Sequence, residues 1–199
     1  LTRFFSAWTA TPYLGNPNYH TGGITSVAPL AALSALGLTP SAIFKTWHFV
    51  LLALAAWGAT RLTRHMLPGM SRYAALFAGI VYIANPWAID GASVLPIALS
   101  LALFPWQVLW LLKALADPRS WRWPALFGFT FFAMAGSNAA VQPLFGLVAV
   151  PVVAVYARLA LALRWRDIAA AVGKCALFVV VLSAYWLPAT FAAGRAGSA

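Results

Sequence analysis

Long apolar runs separated by short polar breaks dominate the chain. A helix needs about 20 predominantly apolar residues to cross a bilayer, within a range of roughly 17–25. Six stretches reach or approach that length, and they predict six transmembrane helices: Ile43–Leu62, Tyr73–Ile89, Val94–Leu112, Trp121–Gly136, Ala139–Ala157 and Ile168–Leu187. The connections are short and contain helix breakers such as Leu67-Pro68-Gly69 and Asn85-Pro86. The pattern predicts an all-α polytopic membrane protein built from helical hairpins.

The first 40 residues have a different pattern. A polar stretch, LGNPNYHTGG, precedes an apolar segment, Val27–Leu38, that is too short to span a bilayer. We expect an interfacial or re-entrant helix there, ended by Pro40. The chain is thus predicted to be a single transmembrane domain fragment over residues 1–199. Residues 1–40 form an extracytoplasmic loop with the interfacial helix, and residues 41–188 form the six transmembrane helices.

Prolines also occur inside the predicted spans, at Pro96, Pro105, Pro143 and Pro151. Each lacks a backbone N–H, so a kink is expected, with neighbouring helices or water supplying the missing hydrogen bond.

Composition excludes an ordinary soluble domain. Hydrophobic residues make up 63% of the chain and charged residues 8%, against roughly 45–50% and about 25% in soluble domains. The single cysteine, Cys175, allows no intrachain disulfide and no thiolate metal site. Phosphate-cradling, dinucleotide-binding and zinc-protease motifs are absent and the three histidines are scattered, so neither a cofactor nor a metal is predicted.

The net charge of +10 becomes informative once it is placed along the chain. Alternate connections hold nine of the thirteen cations: Arg61, Arg64, Arg72, Lys113, Arg119, Arg122, Arg158, Arg164 and Arg166. The intervening connections, Pro86–Ser93 and Gly136–Pro143, hold none and are predicted to face away from the cytoplasm. The charge therefore predicts a multi-pass plasma-membrane protein with cytoplasmic basic loops that contact anionic lipid headgroups, and no nucleic-acid partner.

Polar groups at the outer ends of the spans are the candidate chemistry. They are Asn16, Asn18, Tyr19, His20, Asn85, Asp90, Ser137, Asn138 and Gln142. Amides and hydroxyls can bind sugar hydroxyls, with Trp57, Trp87 and Trp186 as stacking faces, although caps and turns are the more ordinary role for such amides. Asp90, the sole acid on that side, suits either a general base or, more simply, a solvated turn.

Two lysines and a histidine lie in apolar runs. Lys45 and Lys174 can both extend to lipid headgroups. An alternative role for Lys45 is to bind the phosphate of a lipid-linked donor at the outer interface. His48 is expected to pack among the helices.

The order of several motifs resembles the N-terminal membrane region of the actinobacterial α-(1→3)-arabinofuranosyltransferase family, which are glycosyltransferases of the GT-C fold. The motifs are Leu14-Gly15-Asn16-Pro17-Asn18 with Gly22-Gly23, Pro29-Leu30, Thr46-Trp47, Gly58-Ala59-Thr60-Arg61-Leu62, Asn85-Pro86, Leu95-Pro96, Pro105-Trp106, Gly136-Ser137-Asn138-Ala139 and Tyr185-Trp186-Leu187-Pro188. Each is weak alone, and their shared order carries the resemblance.

The resemblance implies transfer of arabinofuranose from a polyprenyl-phosphate donor to a polysaccharide acceptor, cell-wall arabinan, on the extracytoplasmic face. It also implies that an acid in the first outer loop acts as base, upstream of Leu1 and thus outside this fragment, which alone is expected to be inactive. Asn16, Asn18, His20 and Asn138 match motif neighbourhoods and are the predicted substrate contacts. The chain departs from the family at Ala92-Ser93-Val94, where the family carries a Ser-Glu pair.

Two other functions stay open at this point. A transporter or lipid flippase would also use broken helices and polar midplane groups. Proton-coupled transporters usually bury acids inside their spans, and here Asp90, Asp117 and Asp167 all lie near span ends or in loops. A noncatalytic membrane subunit is the third possibility.

Overall fold

The computed structural model describes residues 8–9, 16–17, 24–86, 88, 95–135 and 142–184. Within these ranges the chain forms seven helices: α1 Ile24–Ala35, α2 Pro40–Met66, α3 Arg72–Ile83, α4 Leu95–Ala116, α5 Arg122–Ala135, α6 Gln142–Leu159 and α7 Trp165–Ser183. A two-residue antiparallel pair, β1 Trp8–Thr9 with β2 Asn16–Pro17, precedes them. The predicted helical architecture is therefore confirmed, with a helix at the position of each of the six predicted spans and of the short segment before them.

Local side-chain chemistry explains where the helices begin. The hydroxyls of Thr39 and Ser71 accept hydrogen bonds from the backbone N–H groups of Ala42 (3.4 Å) and Ala74 (3.2 Å). These N-caps satisfy donors that the first turn of a helix leaves free. Gly37, between α1 and α2, has a φ of 79°, a backbone conformation that glycine adopts without steric cost.

The helix α3 is shorter than the predicted span Tyr73–Ile89. It ends at Ile83 after 12 residues, a length of about 18 Å at 1.5 Å per residue. The Asn85 amide ends it: its Nδ2 donates to the carbonyl of Tyr82, and its Oδ1 accepts from the N–H of Ala88 at 2.8 Å. The Asn85 side chain, a candidate for sugar binding, is thus occupied in a turn.

The proline predictions are partly corrected. Pro96 and Pro143 are the second residues of α4 and α6, a position where proline removes no helical hydrogen bond. Pro105 and Pro151 lie inside α4 and α6, and both helices continue through them.

Among the described residues, two helices are long and apolar enough to cross a membrane, namely Pro40–Met66 and Ile97–Ala116. Their environments differ, because 22% of the apolar window of the first is buried and 67% of the second. The helix α4 is therefore the centre of the bundle, and α2 lies at its periphery.

Two groups of buried side chains form around α4. One joins its C-terminal half to α5, α6 and α7, and includes Leu111, Leu115, Phe127, Ala157 and Ile168. The other joins its N-terminal half to α2 through Leu51, Ala55, Ala98, Leu99 and Ala102. The small alanines in the second group let the two helix backbones approach closely.

Large apolar side chains also cover the outside of the bundle. Phe49 on α2 is 74% exposed, Phe77 on α3 66% and Val152 on α6 64%, and on α7 Val180 and Val181 are exposed as well. Exposed apolar side chains of this size on four helices favour association with a membrane.

Candidate functional site

The predicted substrate-binding residues are mostly outside the described part of the chain. Asn18, His20, Asp90 and Asn138 all lie there, and so do Trp87 and Trp186. Asn16 pairs with Thr9 in the short β hairpin. Lys45 is exposed in the second turn of α2. The described residues therefore do not bring the predicted substrate contacts together.

Trp57 lies in a different place from the predicted stacking face. It is in the C-terminal half of α2, one turn before Arg61, and its ring packs edge-on against Trp106 at a centroid distance of 5.0 Å. The Trp106 indole in turn donates to the carbonyl of Leu54 at 3.0 Å. Trp57 thus belongs to a contact between α2 and α4 rather than to the outer end of the bundle.

Lys174 also departs from its prediction. Its ammonium donates to the carbonyl of Pro118 at 2.5 Å and lies 4.6 Å from the ring centroid of Trp121. The side chain therefore ties α7 to the connection between α4 and α5 instead of extending to headgroups.

His48 packs against Phe44, one turn earlier on α2. Its Nδ1 lies 2.8 Å from the carbonyl oxygen of Phe44, and its ring centroid is 4.0 Å from that of Phe44.

Three cations and a histidine gather where α2 and α4 end side by side. Arg61, Arg64 and His65 are spaced i, i+3 and i+4 on α2, which places them on one face of the helix. Lys113 approaches them from the last turn of α4. Together with Leu109, these four side chains line a cavity of about 220 Å³, which we name the basic cavity.

Tryptophan rings hold Lys113 in position beside the basic cavity. Its ammonium lies 4.4 Å from the ring centroid of Trp123 and 5.2 Å from that of Trp110. The two rings are stacked at 5.5 Å with an interplanar angle of 13°. Arg122, at the start of α5, lies 4.8 Å from the Trp123 centroid. Such cation–π contacts contribute about 0.5–1 kcal/mol at exposed sites.

The positive charge of the basic cavity has no neutralising carboxylate among the described residues. Among the residues that the structure describes, no carboxylate lies within salt-bridge distance of Arg61, Arg64 or Lys113. The cations do lie near the C-terminal ends of α2 and α4, whose dipoles favour positive charge there. The cavity is consequently suited to an anion.

An apolar groove of about 480 Å³ lies between α4 and α6. Its lining includes Met66, Phe104, Val108, Leu112, Val152 and Tyr156. Met66 follows His65 along α2, and Leu112 precedes Lys113 along α4. On each of these two helices, a residue that lines the groove is therefore adjacent in sequence to a residue that lines the cavity. We call this feature the apolar groove.

The opposite end of α2 carries Lys45. It is 19 positions before Arg64, a distance of about 28 Å along a helix. That is close to the hydrocarbon thickness of about 30 Å. Two cations of α2, Lys45 and Arg64, are thus separated along the helix by about the thickness of the hydrocarbon core.

Sequence reasoning assigned the basic residues to orientation and to contact with anionic headgroups, and it missed the basic cavity. The i, i+3, i+4 spacing of Arg61, Arg64 and His65 is visible in the sequence. Their proximity to Lys113 is not, because it depends on α2 and α4 packing side by side.

Comparison of the chain with protein-family models, with curated proteins and with solved structures finds no match. Within the described ranges, no three His, Cys, Asp or Glu side chains are grouped so that they could hold a metal ion.

Proposed function

We propose that this protein is a multi-pass membrane protein in which the six helices α2 to α7 lie across the plasma membrane, with the basic cavity on the cytoplasmic side. The length and apolar character of α2 and α4 support this arrangement. So do the exposed apolar side chains on α2, α3, α6 and α7. A basic end that faces the cytoplasm obeys the positive-inside rule.

Within that setting we propose a GT-C-type glycosyltransferase that acts on the extracytoplasmic side. One structural observation supports the location: the Thr25 hydroxyl on α1 donates to the carbonyl of Ala133, near the end of α5, at 2.9 Å. Because α5 begins beside the basic cavity, α1 lies at the opposite end of the bundle, as Lys45 does. This end therefore has a short apolar helix and an exposed cation where a lipid-linked donor would lie.

The proposed identities of the sugar and the acceptor rest on the resemblance of the sequence motifs to the arabinofuranosyltransferase family. In the proposed reaction, an acceptor hydroxyl on cell-wall arabinan attacks the anomeric carbon of arabinofuranose. The bond from that carbon to the phosphate oxygen breaks, and polyprenyl phosphate leaves. Lys45 would hold the phosphate of the donor and of the product, while a base takes the hydroxyl proton. Asp90 is the candidate for that base within this chain.

A transfer assay tests this proposal. Membranes that contain the full-length protein are given labelled polyprenyl-phosphate arabinose together with an arabinan acceptor. We expect incorporation of arabinose, and an increase of about fivefold in KM for the donor in Lys45→Gln, since one interfacial cation contributes about 1 kcal/mol to binding. Arg166→Gln, which removes an exposed cation from the basic end, serves as the matched control and should leave KM unchanged.

The assay separates the class of the enzyme from its substrate. Transfer from a hexose donor but not from the arabinose donor contradicts the proposed sugar. Absence of transfer from every polyprenyl-phosphate sugar contradicts a glycosyltransferase. An unchanged KM in Lys45→Gln contradicts the role of Lys45.

A further inference from the structure

We infer that the basic cavity and the apolar groove together bind one anionic phospholipid, with its phosphate among Arg61, Arg64, His65 and Lys113 and an acyl chain in the groove. This site lies at the end of the bundle opposite Lys45, and it is distinct from the proposed donor site. The inference rests on the membrane setting of the proposed function but not on glycosyl transfer.

The head of the ligand follows from the charge of the cavity. Arginine donors and a lysine ammonium are the groups that bind phosphate oxygens most strongly in proteins. Here Arg61 and Arg64 reach the cavity from one helix and Lys113 from another. Since no described carboxylate is paired with them, a bound phosphate would supply the missing negative charge.

The fixed position of Lys113 distinguishes a built site from a diffuse basic surface. The stacked rings of Trp110 and Trp123 contact its ammonium and restrict where it can lie. A lysine on an open helix surface would need to be ordered when the ligand binds, at a cost in side-chain entropy. At Lys113, part of that side-chain entropy is already lost before a ligand binds.

The tail of the ligand follows from the apolar groove. Phe104, Val108 and Leu112 recur every four residues along α4 and form one wall. Val152 and Tyr156 contribute to the facing wall from α6. Between them the two walls offer an apolar channel, and Met66 and Leu112 in its lining are sequence neighbours of His65 and Lys113 in the cavity. This combination matches an amphiphile with an anionic head and does not match a free phosphate ion.

The choice of a lipid over a soluble anion also follows from the surroundings. Val148 and Val152, which line the groove, are 62% and 64% exposed on the outside of the bundle. In the proposed membrane setting, this face meets the acyl chains of the cytoplasmic leaflet. A phospholipid could therefore enter laterally, without leaving the bilayer.

Lipid retention by the purified full-length protein tests the inference. The protein is exchanged into micelles that contain phosphatidylglycerol or phosphatidylcholine, and the retained lipid is measured by native mass spectrometry at several lipid concentrations. We expect phosphatidylglycerol to bind at least tenfold more tightly than phosphatidylcholine. Inorganic phosphate and soluble glycerophosphoglycerol at equal concentration should fail to displace it, because neither has an acyl chain.

Variants locate the site. Arg61→Gln with Arg64→Gln should weaken phosphatidylglycerol binding by tenfold or more, because each interfacial cation contributes about fivefold. The matched control, Arg164→Gln with Arg166→Gln, removes the same charge from exposed positions outside the cavity and should change binding less than twofold. Both pairs are exposed, so circular dichroism should show folded protein in each case.

The groove has its own pair of variants. Val152→Trp fills the apolar groove and should weaken phosphatidylglycerol binding at least fivefold. Val180→Trp adds the same bulk to exposed surface on α7 and should have no effect.

Several outcomes would overturn the inference. Equal affinity for the two lipids, or equal losses in the two arginine pairs, would show that only diffuse charge is involved. Displacement by inorganic phosphate would identify a soluble-anion site instead. An unchanged affinity in Val152→Trp would show that the groove holds no acyl chain.

Discussion

The hydroxyl of Tyr82 on α3 donates a 3.0 Å hydrogen bond to the backbone carbonyl of Leu101 on α4. Leu101 lies four residues before Pro105, so its carbonyl is the one that loses a helical donor when position 105 is proline. A neighbouring helix thus supplies the replacement that the sequence led us to expect for an internal proline. The Pro105 site is thereby coupled to the packing of α3.

Replacing Tyr82 tests that coupling. Tyr82→Phe keeps the ring but removes the donor, and we expect a loss of about 0.6–1.7 kcal/mol in the free energy of unfolding in detergent, the range of polar contacts between membrane helices. In a Pro105→Ala background, the backbone N–H gained at position 105 can donate to the carbonyl of Leu101, so the effect of Tyr82→Phe should shrink. Tyr73→Phe, on the exposed start of α3, is the control with a change below about 0.5 kcal/mol. Equal effects of Tyr82→Phe in both backgrounds would contradict the explanation.

The close approach of Trp106 to Gly58 leads to a second prediction. A Cβ atom at position 58 would lie 2.6 Å from the indole nitrogen, which is closer than atoms can pack. Gly58→Ala should therefore displace Trp106 and lower the free energy of unfolding by about 1–3 kcal/mol. The control is Gly173→Ala on α7, where nothing lies within 4 Å. Because alanine favours helix over glycine by about 0.8–1.0 kcal/mol, that change should stabilise the protein. A neutral or stabilising Gly58→Ala would contradict the packing.

Lys174 provides a third prediction. Lys174→Met removes its hydrogen bond to the Pro118 carbonyl and its contact with Trp121. We expect a loss of about 1–2 kcal/mol in the free energy of unfolding, since hydrogen bonds to charged groups contribute about 1.5–3 kcal/mol and this side chain is only partly buried. Lys45→Met, an exposed position, should change it by less than about 0.5 kcal/mol. If Lys174 merely extended to headgroups, the two variants would behave alike.

The sequence predicted the helices well because long apolar runs and their breakers are local features. The predicted span Ile43–Leu62 falls within α2, and Val94–Leu112 overlaps most of α4. The overestimate was at α3, where the apolar run continues past a turn that the Asn85 amide forms through its own hydrogen bonds. Apolar character alone cannot reveal that turn.

The sites were less predictable because they depend on contacts between distant residues. The partner of Lys174 is 56 positions away at Pro118, and Lys113 meets Arg61 only through the packing of α2 against α4. Trp57 was placed at the wrong end for the same reason: its neighbour, Trp106, is far away in sequence. The proposed substrate contacts Asn18, His20 and Asn138 lie outside the described residues and stay predictions.

Both proposals require the two ends of α2 to lie on opposite sides of the membrane. Ser41, the second residue of α2, and Gly69, three residues after its end, are exposed. The helix is roughly 40 Å long at about 1.5 Å per residue. Labelling of Ser41→Cys and of Gly69→Cys therefore reports on which side of the membrane each end of α2 lies. The unaltered chain is the control, because its one cysteine, Cys175, is 2% exposed and should not react.

The most direct measurement is labelling of these two variants in intact cells with a membrane-impermeant maleimide, before and after permeabilisation. We predict that Ser41→Cys is labelled in intact cells, and that Gly69→Cys is labelled only after permeabilisation. Labelling of both positions from the same side would contradict a membrane-spanning α2. Labelling of Gly69→Cys alone in intact cells would contradict the cytoplasmic placement of the basic cavity, and with it the location of both proposed sites.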